Sequence, residues 1–179
     1  QRWRAAGWTD LTISVNVSPV QFRRGSVETS VAQALADSGL PSTNLELELT
    51  ESLLIQDSLQ LAESLASLRR MGVRFAIDDF GTGYSNLAYL RHLPVKELKI
   101  AGSFVEGLQA SDRADPVDAQ IVATLVTLAH ALGLTVTAEG VETPAQAERL
   151  RRIGCDSGQG WLFAKPGKPE NISRLLSEG

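Results

Sequence analysis

Phe75-Ala76-Ile77-Asp78-Asp79-Phe80-Gly81-Thr82-Gly83-Tyr84 starts as an apolar strand, meets two adjacent carboxylates and closes in a glycine-bracketed turn. Two acids at the end of a buried strand are costly to desolvate unless a cation or hydrogen-bond donors receive them. Coordination of a metal by hard oxygen ligands is the usual way of meeting that cost. Taken alone, the run fits an ordinary strand-end turn equally well, with solvated aspartates and glycine supplying positive φ. The flanking sequence separates the two readings.

Working outward, strand and helix patterns alternate along the chain. Leu11 to Ser18 alternates strictly, with Ile13, Val15 and Val17 on one face and Ser14, Asn16 and Ser18 on the other. A helix is predicted from Val27 to Ser38, stopped by Gly39, and Leu45 to Thr50 alternates again. Leu59 to Arg70 is amphipathic and Gly72 follows it. After the opening run, Tyr84 to Leu93 has helical spacing and Val95 to Ile100 reads as a strand. Gly107 to Pro116 is polar and loop-like, Val117 to Leu132 is a helix, and Leu134 to Ala138 is a strand. Ala145 to Ile153, a short strand from Cys155, and a last helix from Pro169 to Leu176 complete the pattern. Gln1 to Gly7 reads as the last turns of a helix. Six repeats of strand then helix predict a parallel α/β sheet, either open and doubly wound or a (β/α) barrel. Neither the dinucleotide fingerprint nor a phosphate-binding glycine-lysine loop is present.

The 179 residues suffice for one domain with a core. A formal net charge of −4 argues against bulk attraction to a nucleic-acid polymer or an anionic membrane. The single Cys155 excludes an internal disulfide and a cysteine-rich zinc site. No apolar run reaches the length of a membrane span. His130, Cys155 and the three tryptophans read as packing or surface residues.

Polar residues gather at the predicted carboxyl ends of the strands, where a barrel places its functional groups. Asn16 ends the first, Glu48 the second, Asp78 and Asp79 the third, Lys99 the fourth, Glu139 the fifth and Gln159 the sixth. One such residue is ordinarily a helix cap or a solvated turn. Six strand ends in agreement favour a divalent-cation site facing an anionic substrate. Oxygen ligands without Cys or His at ligand spacing suit Mg²⁺ or Mn²⁺ better than zinc. Two such ions clamp an in-line displacement at phosphorus, with Lys99 stabilising charge or positioning water.

These residues bring the chain close to a known family. Asn16-Val17-Ser18, Glu48-Leu49-Thr50-Glu51, Asp78 to Ser85, Leu98-Lys99-Ile100, Ala138 to Thr143 and Gln159-Gly160 together resemble the EAL domain of bacterial cyclic-di-GMP phosphodiesterases, along essentially the whole chain. The resemblance implies a modified (β/α) TIM-type barrel that hydrolyses cyclic di-GMP to linear pGpG with two Mg²⁺ or Mn²⁺ ions. It implies Asn16, Glu48, Asp78, Asp79 and Glu139 at the metals, and Lys99, Glu139 and Asp79 in catalysis. It places Gln159 and Asp79 at the substrate, and Glu51 as anchor of the Asp79 to Asn86 loop. It further implies a homodimer within a larger signalling protein, and a cytoplasmic module, free-standing or part of a membrane-anchored protein.

Two departures from the family pattern stand out. The chain has no Glu-Ala-Leu strand, so residues 1–179 are expected to be an EAL domain lacking its first strands, their helix, one metal ligand and a substrate-contacting arginine. Ala101 follows Lys99-Ile100 where the family usually has Asp, removing an inward carboxylate. Both weaken the expected metal site. For the chain as it stands the expectation is weak or absent catalysis, and the alternative is a degenerate domain acting as a cyclic-di-GMP receptor or docking module.

Overall fold

A computed structural model describes residues 2–23, 26–54, 59–83, 90–108 and 116–178. The elements are α1 (Arg2–Ala5), β1 (Ile13–Val17), α2 (Pro19–Arg23), α3 (Val27–Ser38), β2 (Leu45–Thr50), α4 (Glu51–Leu54), α5 (Leu59–Arg70) and β3 (Arg74–Phe80). They continue as β4 (Glu97–Ile100), α6 (Gly102–Glu106), α7 (Pro116–Ala131), β5 (Thr135–Ala138), α8 (Pro144–Ile153), β6 (Ser157–Gly158) and α9 (Pro169–Glu178). The expected bounds of α3, β2 and α5 hold to the residue. Gly39 and Gly72, which follow two of them, adopt φ of 63° and 93°, conformations open to glycine without a Cβ penalty. The short helices α2, α4 and α6 carry too few residues to show a period in the sequence. Most of the helix expected from Tyr84 to Leu93 and most of the loop expected from Gly107 to Pro116 lie outside the described residues.

All strand pairs are parallel and follow chain order from β1 to β6, with no pairing of β6 back to β1 among the described residues. The architecture is therefore six βα units of a barrel with an open seam. Parallel strands need both faces covered. In the middle of the sheet they have this: Phe75, Ile77, Leu98, Ile100 and Val136 are fully buried on the outer face. Leu61, Leu65 and Leu68 of α5 supply part of that cover at helical spacing. At the seam the cover fails. Ile13 and Val15 lie on the same outer face of β1, yet they are 41% and 44% exposed, and only Val17 of that face is buried.

Main-chain and polar contacts tie the frame together. The Trp3 indole donates to Ser173 Oγ at 2.9 Å, joining α1 to α9 across 170 residues. Thr143 caps α8 in a reciprocal capping box with Gln146, whose amide also donates to Val105 O at 3.1 Å. Gly102 and Gly140, in the turns after β4 and β5, touch through their backbones: a Cβ on Gly140 would lie 3.1 Å from the Gly102 Cα. No described helix is long and apolar enough to cross a membrane.

His130, expected as packing, instead pairs its Nε2 with Asp156 Oδ2 at 2.9 Å, and the same oxygen accepts the Val136 amide at 2.8 Å. The His130 hydrogen bond holds the Asp156 carboxyl below its ordinary range; burial opposes this and the Val136 amide adds to it. A depressed carboxylate pKa contributes stability above the unfolded value, lost as pH falls through the folded one. Asp156→Asn should therefore lose up to about 1 kcal/mol near neutrality, this being a solvent-screened pair. The difference from wild type should shrink in urea titrations as the pH drops below about 3.9.

Candidate metal centre

The strand ends converge as their parity predicts. Asn16 lies opposite Glu48 in the β1–β2 register, Thr50 opposite Asp78 in β2–β3, and Lys99 opposite Thr137 in β4–β5. In a regular strand Asp78 and Asp79 would point to opposite faces. Two local features change this. The β3–β4 register shifts between Ile77 and Phe80, and Asp79 takes a left-handed φ of 54°. Such a bulge re-aims side chains next to functional sites, and Asp tolerates the left-handed region better than most residues. Asp78, Asp79 and Glu139 consequently each bring one carboxylate oxygen within 4.8 Å of the others.

Lys99 stands among these acids with its side chain 5% exposed. Its Nζ lies 2.7 Å from Glu48 Oε1, 2.5 Å from Glu139 Oε1 and 3.5 Å from Asp78 Oδ1. Burial favours the neutral amine, but the hydrogen bonds to Glu139 and Glu48 outweigh it and hold Lys99 above its ordinary value. Burial raises the Glu139 carboxyl; the Lys99 contact opposes this, Asp78 and Asp79 reinforce it, and the net direction is upward. Four carboxylates (Glu48, Asp78, Asp79, Glu139) face one ammonium, a formal surplus of three negative charges.

That surplus is what a divalent cation neutralises, and the all-oxygen donor set suits Mg²⁺ or Mn²⁺. Six-coordinate Mg²⁺ holds its oxygens at about 2.1 Å, so adjacent donors sit about 3 Å apart. Asp78, Asp79 and Glu139, with oxygens within 4.8 Å of one another, offer a donor set that fits such an ion.

The other expected residues surround this group. Asn16 is exposed on the seam strand beside Glu48. Glu51, 3% exposed at the start of α4, accepts the amides of Gly81 at 3.0 Å and Gly83 at 3.1 Å through Oε2. It thus holds the first part of the turn after Asp79; Tyr84 to Asn86 lie outside the described residues. Gln159 is exposed at the end of β6 and lines two cavities. One is the barrel interior with Glu46, Glu97 and Thr137; the other is an outer groove with Glu139 and Trp161. Ala101 is 2% exposed directly after β4.

Two further residues stand out that the sequence reading passed over. Trp161 is 59% exposed, and the Lys165 Nζ lies 5.2 Å from its ring centroid. The available signal was an aromatic next to the Gln159-Gly160 strand end with a cation four residues on.

Known proteins resemble this chain in sequence and fold. Residues 1–166 match the EAL domain family. The bifunctional diguanylate cyclase/cyclic di-GMP phosphodiesterase MucR of Pseudomonas aeruginosa is 44% identical over 170 residues, 95% of this chain and 24% of MucR. The crystal structure of the EAL domain of Mycobacterium smegmatis DcpA superimposes with a TM-score of 0.90 at 44% identity, over 99% of this chain and 78% of that one. Klebsiella pneumoniae BlrP1, solved as a manganese/cy-diGMP complex, gives a TM-score of 0.76 at 32% identity, over 87% of this chain and 39% of that one. The chain spans between 20% and 25% of the length of curated relatives such as MucR and the P. aeruginosa cyclic di-GMP phosphodiesterase NbdA. With an acidic rim on parallel βα units and relatives of this kind along nearly its whole length, the chain belongs to the EAL domain family.

Proposed function

We propose that this domain hydrolyses cyclic di-GMP to linear pGpG with Mg²⁺ or Mn²⁺, as one module of a larger, homodimeric signalling protein. The observation that carries the reading is the trio Asp78, Asp79 and Glu139, within 4.8 Å of one another around a buried Lys99. The names of MucR and NbdA support the substrate class. Asp78, Asp79 and Glu139, with Asn16 and Glu48, would hold two ions. Bound divalent ions supply charge neutralisation and a water of lowered pKa.

The chain's own residues do the rest. Lys99 is held by Glu48 and Glu139, so its charge is fixed without further ordering. It stabilises negative charge on the phosphate as water adds to phosphorus and the P–O ester bond breaks, the departing alkoxide taking a proton. Glu51 fixes the Gly81 to Gly83 turn and with it the placement of Asp79. Gln159 contacts the bound dinucleotide from the far side of the rim. The open seam leaves the edges of β1 and β6 able to pair with a further strand, and Ile13 and Val15, on the outer face, able to pack beneath a helix.

The larger protein that carries this domain, purified with Mn²⁺ or Mg²⁺, should convert cyclic di-GMP to pGpG, resolved by chromatography, and EDTA should stop the reaction. Tight binding with no turnover in either metal would sink the enzyme reading and leave a receptor. Ala101→Asp should raise Mn²⁺ affinity by about tenfold, one more hard oxygen ligand joining the rim. Unchanged affinity by calorimetry would show that position 101 lies away from the ions.

A further inference from the structure

The turn after Asp79 is gripped from two directions. From α4, Glu51 Oε2 accepts the Gly81 and Gly83 amides. From α6, the Phe104 ring lies against Gly81 on the side where another residue would carry its Cβ. A Cβ there would stand 2.7 Å from one ring carbon and 3.2 Å from the next, and 3.5 Å from Leu125 Cδ1 of α7. Gly81 also has a φ of 99°, so the contact and the backbone both call for glycine. The ring is held in turn by its own short helix. α6 follows β4 after Ala101 alone, with Val105 fully buried and its carbonyl accepting Gln146 Nε2 at 3.1 Å. Phe104 and Leu125 are half-buried and pack on the core.

Asp79 needs such support, because a non-glycine residue keeps a left-handed backbone only where its surroundings determine it. Thr82 Oγ1 fixes the Asp79 carbonyl, donating to it at 2.8 Å. The Glu51 hydrogen bonds hold the turn to α4, and the ring bars it from shifting toward α6. Close-packed contacts of this kind leave no slack for a small displacement. We propose that Phe104 is a positioning residue for the metal rim: its ring is the stop against which Gly81 rests, and with Glu51 it sets where the Asp79 carboxylate stands beside Asp78 and Glu139. The ring carries no ligand atom, so it acts through the Gly81 backbone. The inference rests on the proposed function, since it takes the trio as the seat of a divalent ion.

Calorimetric titration of the larger protein with Mn²⁺ tests this, its Asp78→Asn variant giving the blank for sites elsewhere. Phe104→Leu keeps an apolar side chain but loses reach, and the affinity of the rim for Mn²⁺ should fall about tenfold, the scale of losing a support behind a metal ligand. Phe104→Met, long and adaptable enough to fill the gap, should stay close to wild type. Gly81→Ala should also weaken Mn²⁺ binding. Its effect should be about fivefold smaller in the Phe104→Leu background, where the shorter side chain makes room for the methyl group and the backbone strain is unchanged. Wild-type affinity in either Phe104→Leu or Gly81→Ala would overturn the positioning role and leave the proposed function standing. Losses from the two substitutions that simply multiply would also overturn it, marking a general loosening of the fold. A wild-type protein that binds no more Mn²⁺ than Asp78→Asn would overturn both.

Discussion

Lys99→Met is expected to destabilise the fold by about 3–5 kcal/mol, the effect of removing one partner from a buried ion pair. Lys99 is 4% exposed and contacts Glu48 and Glu139 directly. Methionine fills much of the same volume, so the loss is electrostatic, not a cavity. Four carboxylates would then face one another with no counter-charge from this chain. Added Mn²⁺ should restore part of the stability, because an ion that binds only the folded state stabilises it by mass action. Urea unfolding in EDTA and again in Mn²⁺ reads both effects. Equal midpoints for variant and wild type in EDTA would show that Lys99 is not the resident counter-ion.

Asp78→Asn should act in the opposite sense on the fold and more severely on the chemistry. Asp78, like Glu139, both faces Lys99, at 3.5 Å, and belongs to the trio of clustered carboxylates. Replacing it with a neutral amide removes one charge from a surplus of negatives, so thermal stability in EDTA should hold or rise. Turnover of cyclic di-GMP should fall by about a thousandfold, the scale of losing preorganised charge at a reacting phosphate. Wild-type turnover in Asp78→Asn would place the reacting phosphate elsewhere. The two variants together separate the counter-ion role of Lys99 from the metal-holding role of Asp78.

Much of this was legible in the sequence, for a physical reason. Side chains in strands alternate, so Asn16, Glu48, Lys99 and Glu139 could be assigned to one inner face from parity alone. Asp78 and Asp79 break that parity. Their convergence depends on a bulge and a left-handed residue, for which the sequence offered only the Gly81 and Gly83 turn. The exposure of Ile13 and Val15 was not legible, since an alternating strand reads the same whether a sheet closes on it or stops there. Trp161 was passed over because a single tryptophan has no period, and its rigid exposure follows from contacts with Val141 twenty residues earlier.

The contact between Gly102 and Gly140 bears on how relatives of this chain are sorted into active and inactive. It fixes the turn after Lys99 against the turn after Glu139, main chain to main chain, with no side chain between them to adjust. A methyl group at Gly140, 3.1 Å from the Gly102 Cα and on a left-handed backbone, would press the two turns apart and detune the Lys99–Glu139 pair while every charged residue remained in place. A homologue can thus carry the full set of acids and the lysine and still be silent. Inspection of the ionisable positions alone would misclassify it, and the residue at position 140 behind the rim belongs in the diagnosis.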